Sequence, residues 1–386
     1  MKMRKLLPIV AVSALSAGIC PSLEEHKPTP KHYQQDSTSN NQKQSSTGAI
    51  FERDPMLECY DRNKENCYCE CVDPCHEVMV SAGPRVREGA NAYISGSFLY
   101  WTLRQEGLEF VITGIQNGAN PPPTSKGKIN HPDFKTEPGF KIGLGWQLPH
   151  DSWDMFLQYT WLKGKGENDI SGTNMQTIWF QPVIGNVTFA EVFWNHMFNN
   201  FDLELGRNFY TSRYLTMRPF AGLKGGWQNE DYKLRYLNEL SPSSSAFDRL
   251  HMDSFTWYLG MRAGFNTNWY FTKRWSIYGD MALSALWAYN ATQRTDRQYL
   301  AANPNMIQTT LDSKNIIHTV LPVLELGIGI EWDTFFSCDD YHLAFAIGWE
   351  EQVWWGNNFY LSETCPQDTN GNLVMQGLNF TIRFDF

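Results

Sequence analysis

The chain has 386 residues, of which 42% are hydrophobic and 15% aromatic, and its formal net charge is −9. An acidic chain without a basic patch cannot neutralise nucleic-acid phosphates, so we expect no nucleic-acid partner. Beyond residue 19, no stretch approaches the roughly eighteen uninterrupted apolar residues of a transmembrane helix.

Residues 1–19 have the pattern of a secretory signal peptide. Basic side chains occupy three of the first five positions, and an apolar run from Leu6 to Leu15 follows. This run is too short to span a membrane, so we expect export and cleavage. Loss of the three positive charges takes the formal charge from −9 to −12. A lipoprotein cleavage site at Cys20 needs a small residue before it. Because Ile19 is not small, we expect no lipid anchor at Cys20.

The composition of residues 20–91 predicts a periplasmic segment that is disordered and rich in cysteine. The stretch from Tyr33 to Thr47 is nearly all Gln, Ser, Asn and Thr. Such residues bury too little apolar surface to fold. Five cysteines follow within seventeen positions: Cys59, Cys67, Cys69, Cys71 and Cys75.

The spacing of these cysteines favours disulfides over a metal. A zinc site prefers two separated CxxC pairs, whereas three of these cysteines alternate with other residues, and an exported protein meets oxidising conditions. We therefore predict disulfides that use this cluster together with Cys338 and Cys365, and no metal or cofactor. Two pairings remain open. The bonds form within one chain, or they link the chain to further copies of itself or to other envelope proteins.

From residue 92 onward, apolar residues alternate with polar ones in hairpins. Four hairpins with short turns are predicted: Phe140 to Leu148 with Trp153 to Trp161, Phe201 to Gly206 with Leu215 to Trp227, Trp257 to Phe271 with Trp275 to Tyr289, and Val320 to Trp332 with Leu343 to Trp355. Long polar stretches separate them, and we expect these to be loops: Gly164 to Val187, Gln228 to Asp253, Ala291 to Ile317, and Gly356 to Asn372. Short turns at one end and long loops at the other are typical of outer-membrane barrels, whose short turns face the periplasm.

Two single strands complete the predicted barrel. The first runs from Ala92 to about Thr113 with a bulge or kink at Arg104 to Gly107. The last ends the chain on an aromatic residue, which is typical of the strand that closes an outer-membrane barrel. Its candidate assembly signal is Phe380, Ile382, Phe384 and Phe386. We predict an all-β, antiparallel, up-and-down transmembrane barrel of ten strands over residues 92–386, or twelve if Thr177 to Phe189 forms another hairpin.

A soluble β-sandwich is the alternative fold. Its strands would pack their apolar faces against a second sheet, and its loops would not alternate between short and long. The inward faces of the predicted strands are also too polar and too rich in glycine for a packed interior. We therefore favour the barrel.

Strand parity identifies the charged side chains that face the lumen. If the barrel conducts, these are its pore-lining residues: Lys141, Asp154, Asp202, Glu204, Arg218, Lys224, Arg262, Asp280, Glu325, Glu331, Glu350 and Arg383. Inward glycines such as Gly145 and Gly348 leave volume beside them. Ten strands predict a narrow pore at best, because eight-stranded barrels are filled by side chains. The alternative is a closed lattice of ion pairs.

Several blocks of the chain resemble the chlamydial and Legionella-type major outer membrane protein-like family, over about residues 93–386. They are Phe98 to Trp101, Glu106 to Glu109, Asp202 to Arg207, Arg218 to Gly222, Trp275 to Asp280, Gly348 to Trp355 and Gln376 to Phe386. The resemblance implies a pore-forming outer-membrane barrel. On the chlamydial side it also implies an envelope stiffened by cysteine cross-links.

An outer-membrane hydrolase is the rival class, because barrels of this size also serve as proteases and phospholipases. The nearest catalytic candidates are His251 to Asp253, with His196 and His318 also near the outer rim. Nine histidines place a few there by chance. We expect a non-enzymatic, porin-like protein that passes ions and small solutes, and a structural or adhesin role remains compatible. Its expected partners are outer-membrane lipid, the barrel assembly machinery and disulfide-linked envelope proteins or further copies.

Overall fold

The computed structural model describes residues 81–87, 89–114, 127–148, 152–179, 186–241, 244–300, 303–360 and 371–386. No helix in these ranges is long and apolar enough to cross a bilayer. The predicted signal peptide, the polar tether, the cysteine cluster, Cys365 and the turn at 149–151 lie outside the described residues.

The described chain forms thirteen strands. They are β1 Ala92–Gln105, β2 Val111–Thr113, β3 Lys128–Asn130, β4 Asp133–Gln147, β5 Trp153–Thr177, β6 Asn186–Arg207, β7 Phe209–Tyr210, β8 Leu215–Ser241, β9 Ser244–Tyr270, β10 Trp275–Leu300, β11 Asn303–Phe336, β12 Tyr341–Trp354 and β13 Leu373–Asp385.

Ten of these strands close into an antiparallel barrel. The cyclic order is β1, β4, β5, β6, β8, β9, β10, β11, β12 and β13. β1 closes the ring, because Tyr93 lies opposite Gly145 of β4 on one side and opposite Asp385 of β13 on the other. β2 and β3 pair outside the ring against the end of β5, and β7 pairs with β8. The predicted ten-stranded barrel is confirmed.

The barrel strands are longer than predicted. The stretch from Gln228 to Asp253 is not a loop, because β8 continues to Ser241 and β9 starts at Ser244. The predicted loops at 164–187 and 291–317 are likewise mostly strand. A transmembrane strand needs only about 9–11 residues. Beyond that length the outward face meets water and becomes polar, so the sequence resembles a loop although the pairing continues.

The predicted first strand was also wrong beyond residue 105. β1 ends at Gln105, and Gly107 adopts a φ of 81°, a left-handed conformation that glycine tolerates. The chain then turns into the barrel mouth, where Leu108 and Phe110 are buried. The predicted bulge or kink is therefore a turn that ends the strand.

An apolar belt surrounds the barrel. Outward side chains such as Leu259 and Ile328 are 55% and 63% exposed, as expected for residues that face lipid. Exposed tryptophans border the belt at both ends. The girdle toward the short turns contains Trp146, Trp153, Trp269 and Trp275, and the girdle at the outer end contains Trp227, Trp257 and Trp287.

Residues 81–87 and 89–91 lie across the periplasmic mouth, at the end with the short turns. The Ala82 amide donates to the Asn208 carbonyl, with an N···O distance of 3.3 Å, and the Arg87 amide donates to Asp339 at 3.0 Å. Asn208 follows β6, whereas Asp339 lies between β11 and β12, about half-way around the ring. The segment therefore crosses the opening instead of leaving it at one edge.

Candidate functional site in the barrel interior

The periplasmic half of the lumen contains a network of ion pairs. Lys224 of β8 is fully buried, and its Nζ lies 2.9 Å from Asp202 Oδ1 and 2.9 Å from Glu325 Oε1. Arg262 Nη2 lies 2.8 Å from Glu325 Oε2, and its Nη1 pairs with Glu204. Asp202 lies opposite Lys224 on the neighbouring strand β6, whereas the contacts to Glu325 of β11 and from Arg262 to Glu204 join strands that are not neighbours.

Glu204 joins this network to a second pair. Its Oε2 accepts from Arg218 Nη1 at 2.9 Å. The Arg218 Nε donates to both oxygens of Asp154, at 3.0 and 2.9 Å. A guanidinium that holds a carboxylate in this forked manner is among the stronger pairings available to a protein. Seven of the twelve predicted lumen residues thus form one continuous network.

The other five predicted residues are also held on the interior face. Lys141 pairs with Glu350 across the lumen, because β1 and β13 lie between their strands. Asp280 accepts from Asn266 at 2.7 Å and Glu331 accepts from Asn268 at 3.0 Å. Arg383 lies 2.6 Å from Asp385.

The asparagines and Asp385 were not among the predicted site residues. They follow the same parity as the charged residues, so alternation along β9 and β13 was the signal that could have found them. Burial without partners would cost several kcal/mol for each charge. The network offsets this cost through pairing.

Inward glycines do not leave open space. A Cβ at Gly145 would lie 1.9 Å from the Tyr93 ring, and one at Gly348 would lie 2.2 Å from the Tyr278 hydroxyl. The small residues therefore make room for tyrosines from other strands. The expectation of free volume beside the glycines was wrong.

The outer half of the lumen is packed with aromatic and aliphatic side chains. Trp354 is fully buried and meets Phe198 edge-on at a ring distance of 5.5 Å and Tyr258 at 4.9 Å. Leu234, Leu286 and other buried apolar residues extend the same cluster. The sequence-based view that the inward faces are too polar for a packed interior holds only for the periplasmic half.

Two segments fold inward and cover this apolar layer. After β1, the Leu108 carbonyl accepts from the Tyr232 hydroxyl at 3.3 Å. After β12, the Tyr360 ring lies 5.3 Å from the Tyr232 ring, and Asn357 donates to Gln228 at 3.0 Å. The residues at 107–110 and 357–360 therefore close the outer mouth from opposite ends of the chain.

The family model for the Legionella pneumophila major outer membrane protein precursor matches residues 87–386. The chain belongs to this family. It is therefore an outer-membrane β-barrel protein, as the sequence predicted. No curated protein matches the chain.

Among solved structures, this major outer membrane protein family member is similar to other bacterial barrels. The outer membrane protease OmpT from Escherichia coli is 8% identical with a TM-score of 0.36, covering 78% of this chain and 98% of that one. The toluene transporter TodX from Pseudomonas putida is 9% identical with a TM-score of 0.25, covering 78% and 91%. LpxR from Salmonella typhimurium is 11% identical with a TM-score of 0.18, covering 76% and 100%. Likeness at this level carries no argument about function.

The histidines considered for hydrolysis do not come together in this family member. His196 is buried in the interior, with Nδ1 3.2 Å from Glu230 Oε1. His318 stacks on Trp287 at a ring distance of 5.6 Å on the outer wall. His251 lies elsewhere on that wall, beside two aspartates. These three histidines therefore lie at three separate places in the described part of the chain and do not form one catalytic centre.

Of the seven predicted disulfide cysteines, Cys338 alone lies in the described part of the chain. It is disulfide-bonded and occupies the turn between β11 and β12 at the periplasmic end. The other six candidates lie outside the described residues. The choice between internal and intermolecular bonds stays a prediction.

Proposed function

We propose that this protein is a gated, porin-like channel for ions and small solutes, and that the conformation described here is its closed state. The observation that carries the proposal is the charged periplasmic half of the lumen. The outer half of the same barrel shows that these strands can hold an apolar interior. Apolar packing is often at least as stable as buried ion pairs, so a purely structural interior has no need of twelve charged side chains.

Closure in this conformation involves both mouths. Residues 107–110 and 357–360 cover the outer end, and residues 81–87 with 89–91 lie across the periplasmic end. Conduction therefore requires that these segments move. The segment after β12 is held by the hydrogen bond from Asn357 to Gln228 and by the ring contact of Tyr360 with Tyr232, among other contacts. We expect the two outer segments to be the first to move.

Planar-bilayer conductance of the refolded protein tests the proposal. The double variant Asn357→Ala and Tyr360→Ala weakens the outer closure, so the fraction of time in conducting states should rise severalfold over the wild type. In that background, Lys141→Gln removes a lumen cation and should shift selectivity toward cations. Lys165→Gln removes a cation from the outer wall, where the side chain is 48% exposed, and should leave selectivity unchanged.

A non-conducting structural barrel is the second candidate. The packed outer half and the segment across the periplasmic mouth favour it. It predicts that the double variant stays silent while remaining folded. In this reading, the cysteine-rich segment links the barrel to other envelope proteins, and non-reducing electrophoresis of fresh envelopes would show species larger than the monomer.

A further inference from the structure

A group of ionisable side chains lies on the outer wall, beyond the outer girdle. Trp227 and Trp257 lie opposite each other on β8 and β9, and Asp231 and Asp253 lie opposite each other four residues farther out. His251 is two residues beyond Asp253. Side chains an even number of residues apart share one face of a strand. All three therefore share the outward face of the exposed tryptophans, in the water beyond the membrane.

The facing aspartates repel each other. Like charges directly opposite on one face of an antiparallel pair are destabilising. His251 Nε2 lies 3.0 Å from Asp231 Oδ1 and 3.3 Å from Asp253 Oδ1, so both carboxylates converge on one nitrogen. Lys233 contacts the other oxygen of Asp231. The outer wall thus places two carboxylates and one imidazole nitrogen close together.

We propose that Asp231, His251 and Asp253 bind a divalent transition cation of the Zn²⁺ class. With bonds of about 2.0–2.2 Å, neighbouring ligand atoms of a tetrahedral or octahedral shell lie roughly 3.0–3.5 Å apart. Both separations from the histidine fall in this range. One ligand atom from each residue lies within 4.8 Å of the others. Imidazole combined with carboxylate is a donor set that zinc accepts.

A groove of about 570 Å³ adjoins this site. Asp231 and Asp253 line it together with Lys163, Asn195 and Lys314. A cation with three protein ligands keeps at least one position for water or an external ligand. The groove provides room for that ligand outside the lumen, so the site is independent of the proposed channel.

Zinc titration of the full chain tests the site. The protein is refolded in detergent, stripped with EDTA and alkylated at cysteine, because thiolates also bind zinc. Competition against a chromophoric chelator should show one Zn²⁺ per chain. His251→Ala should weaken binding by about tenfold or more, and Asp231→Asn should weaken it in the same direction. His318→Ala, on the same wall but beside Trp287, should leave binding unchanged.

Two further readouts separate a metal site from a simple ion pair. Zinc affinity should fall as the pH falls, because the ligands must be deprotonated. Heat-modified mobility in electrophoresis reports whether each variant is a folded barrel. Absence of stoichiometric zinc binding in the wild type, or equal affinity in folded His251→Ala, would overturn the proposal and leave histidine–carboxylate ion pairs only.

Discussion

The two halves of the barrel interior use the same alternating strands but differ in composition: the periplasmic half is rich in charged side chains and the outer half in apolar ones. Toward the periplasm, Lys224 and Arg262 pair with carboxylates of β6 and β11 on the interior face. Toward the outer end, Trp354, Phe198 and Tyr258 pack as a protein core does. The outer half is mostly apolar, with a few buried pairs such as Arg294 with Asp296, whereas the charged half is stable when dry only if its pairing is complete. The difference makes the charged half the candidate passage and the apolar half the candidate barrier.

The largest expected effect comes from Lys224→Met in the charged half. It removes one of the two cations that Asp202 and Glu325 share and leaves them only Arg262, and breaking a buried pair costs about 3–5 kcal/mol. Urea unfolding in detergent, followed by tryptophan fluorescence, measures the loss. Leu286→Ala in the apolar half is the comparator, with a cost of about 2–5 kcal/mol. If Lys224→Met costs less than about 1 kcal/mol while Leu286→Ala still has its expected cost, water screens the charges.

A smaller effect is expected for Tyr236→Phe, which tests how the outer closure is held. The Tyr236 hydroxyl donates to the Phe110 carbonyl inside the mouth. Without this donor the buried carbonyl loses a partner, at a cost of about 1–3 kcal/mol. Hydrogen exchange at residues 107–110 should accelerate. Tyr289→Phe, on the outer wall, is the control and should leave that exchange unchanged.

The smallest effect concerns how the stability of the barrel depends on pH through Asp248, which lies in β9 beyond the membrane. Burial raises the pKa of Asp248 above its ordinary value, and hydrogen bonds from Gln298 and Asn238 partly oppose the shift. Because the folded state holds this proton more tightly than the unfolded state, ionisation of Asp248 destabilises the barrel, and the penalty disappears as the pH falls through the folded pKa. Asp248→Asn should therefore stabilise the barrel relative to wild type more at pH 7 than at pH 4 in urea unfolding. Equal differences at the two pH values would contradict this, and exposed Asp169→Asn is the control.

Alternation and turn spacing predicted the parts of the fold that the membrane dictates. The outward apolar face follows from contact with lipid, and the closed ring follows from the need to satisfy every backbone group there. Parity also placed Lys141 and Glu350 on the interior face, but it does not predict which interior side chains contact each other. Such contacts join residues of non-adjacent strands, as with Tyr278 over Gly348. Where water replaces lipid, the constraint on the outward face disappears, so the outer extensions of β8 and β9 resembled loops.

The long paired walls limit how this protein can change over evolutionary time. Beyond the membrane, β8 and β9 remain in register from Trp227 opposite Trp257 to Asn238 opposite Ala246. A single inserted residue in this wall would reverse every side chain beyond it, turning Tyr236 outward and Arg235 inward. Length variation and epitope tags are thus confined to the hairpin tip between Ser241 and Ser244, or to matched insertions in both strands. Surface diversity among relatives should therefore be concentrated at the rim, above a wall of nearly constant height.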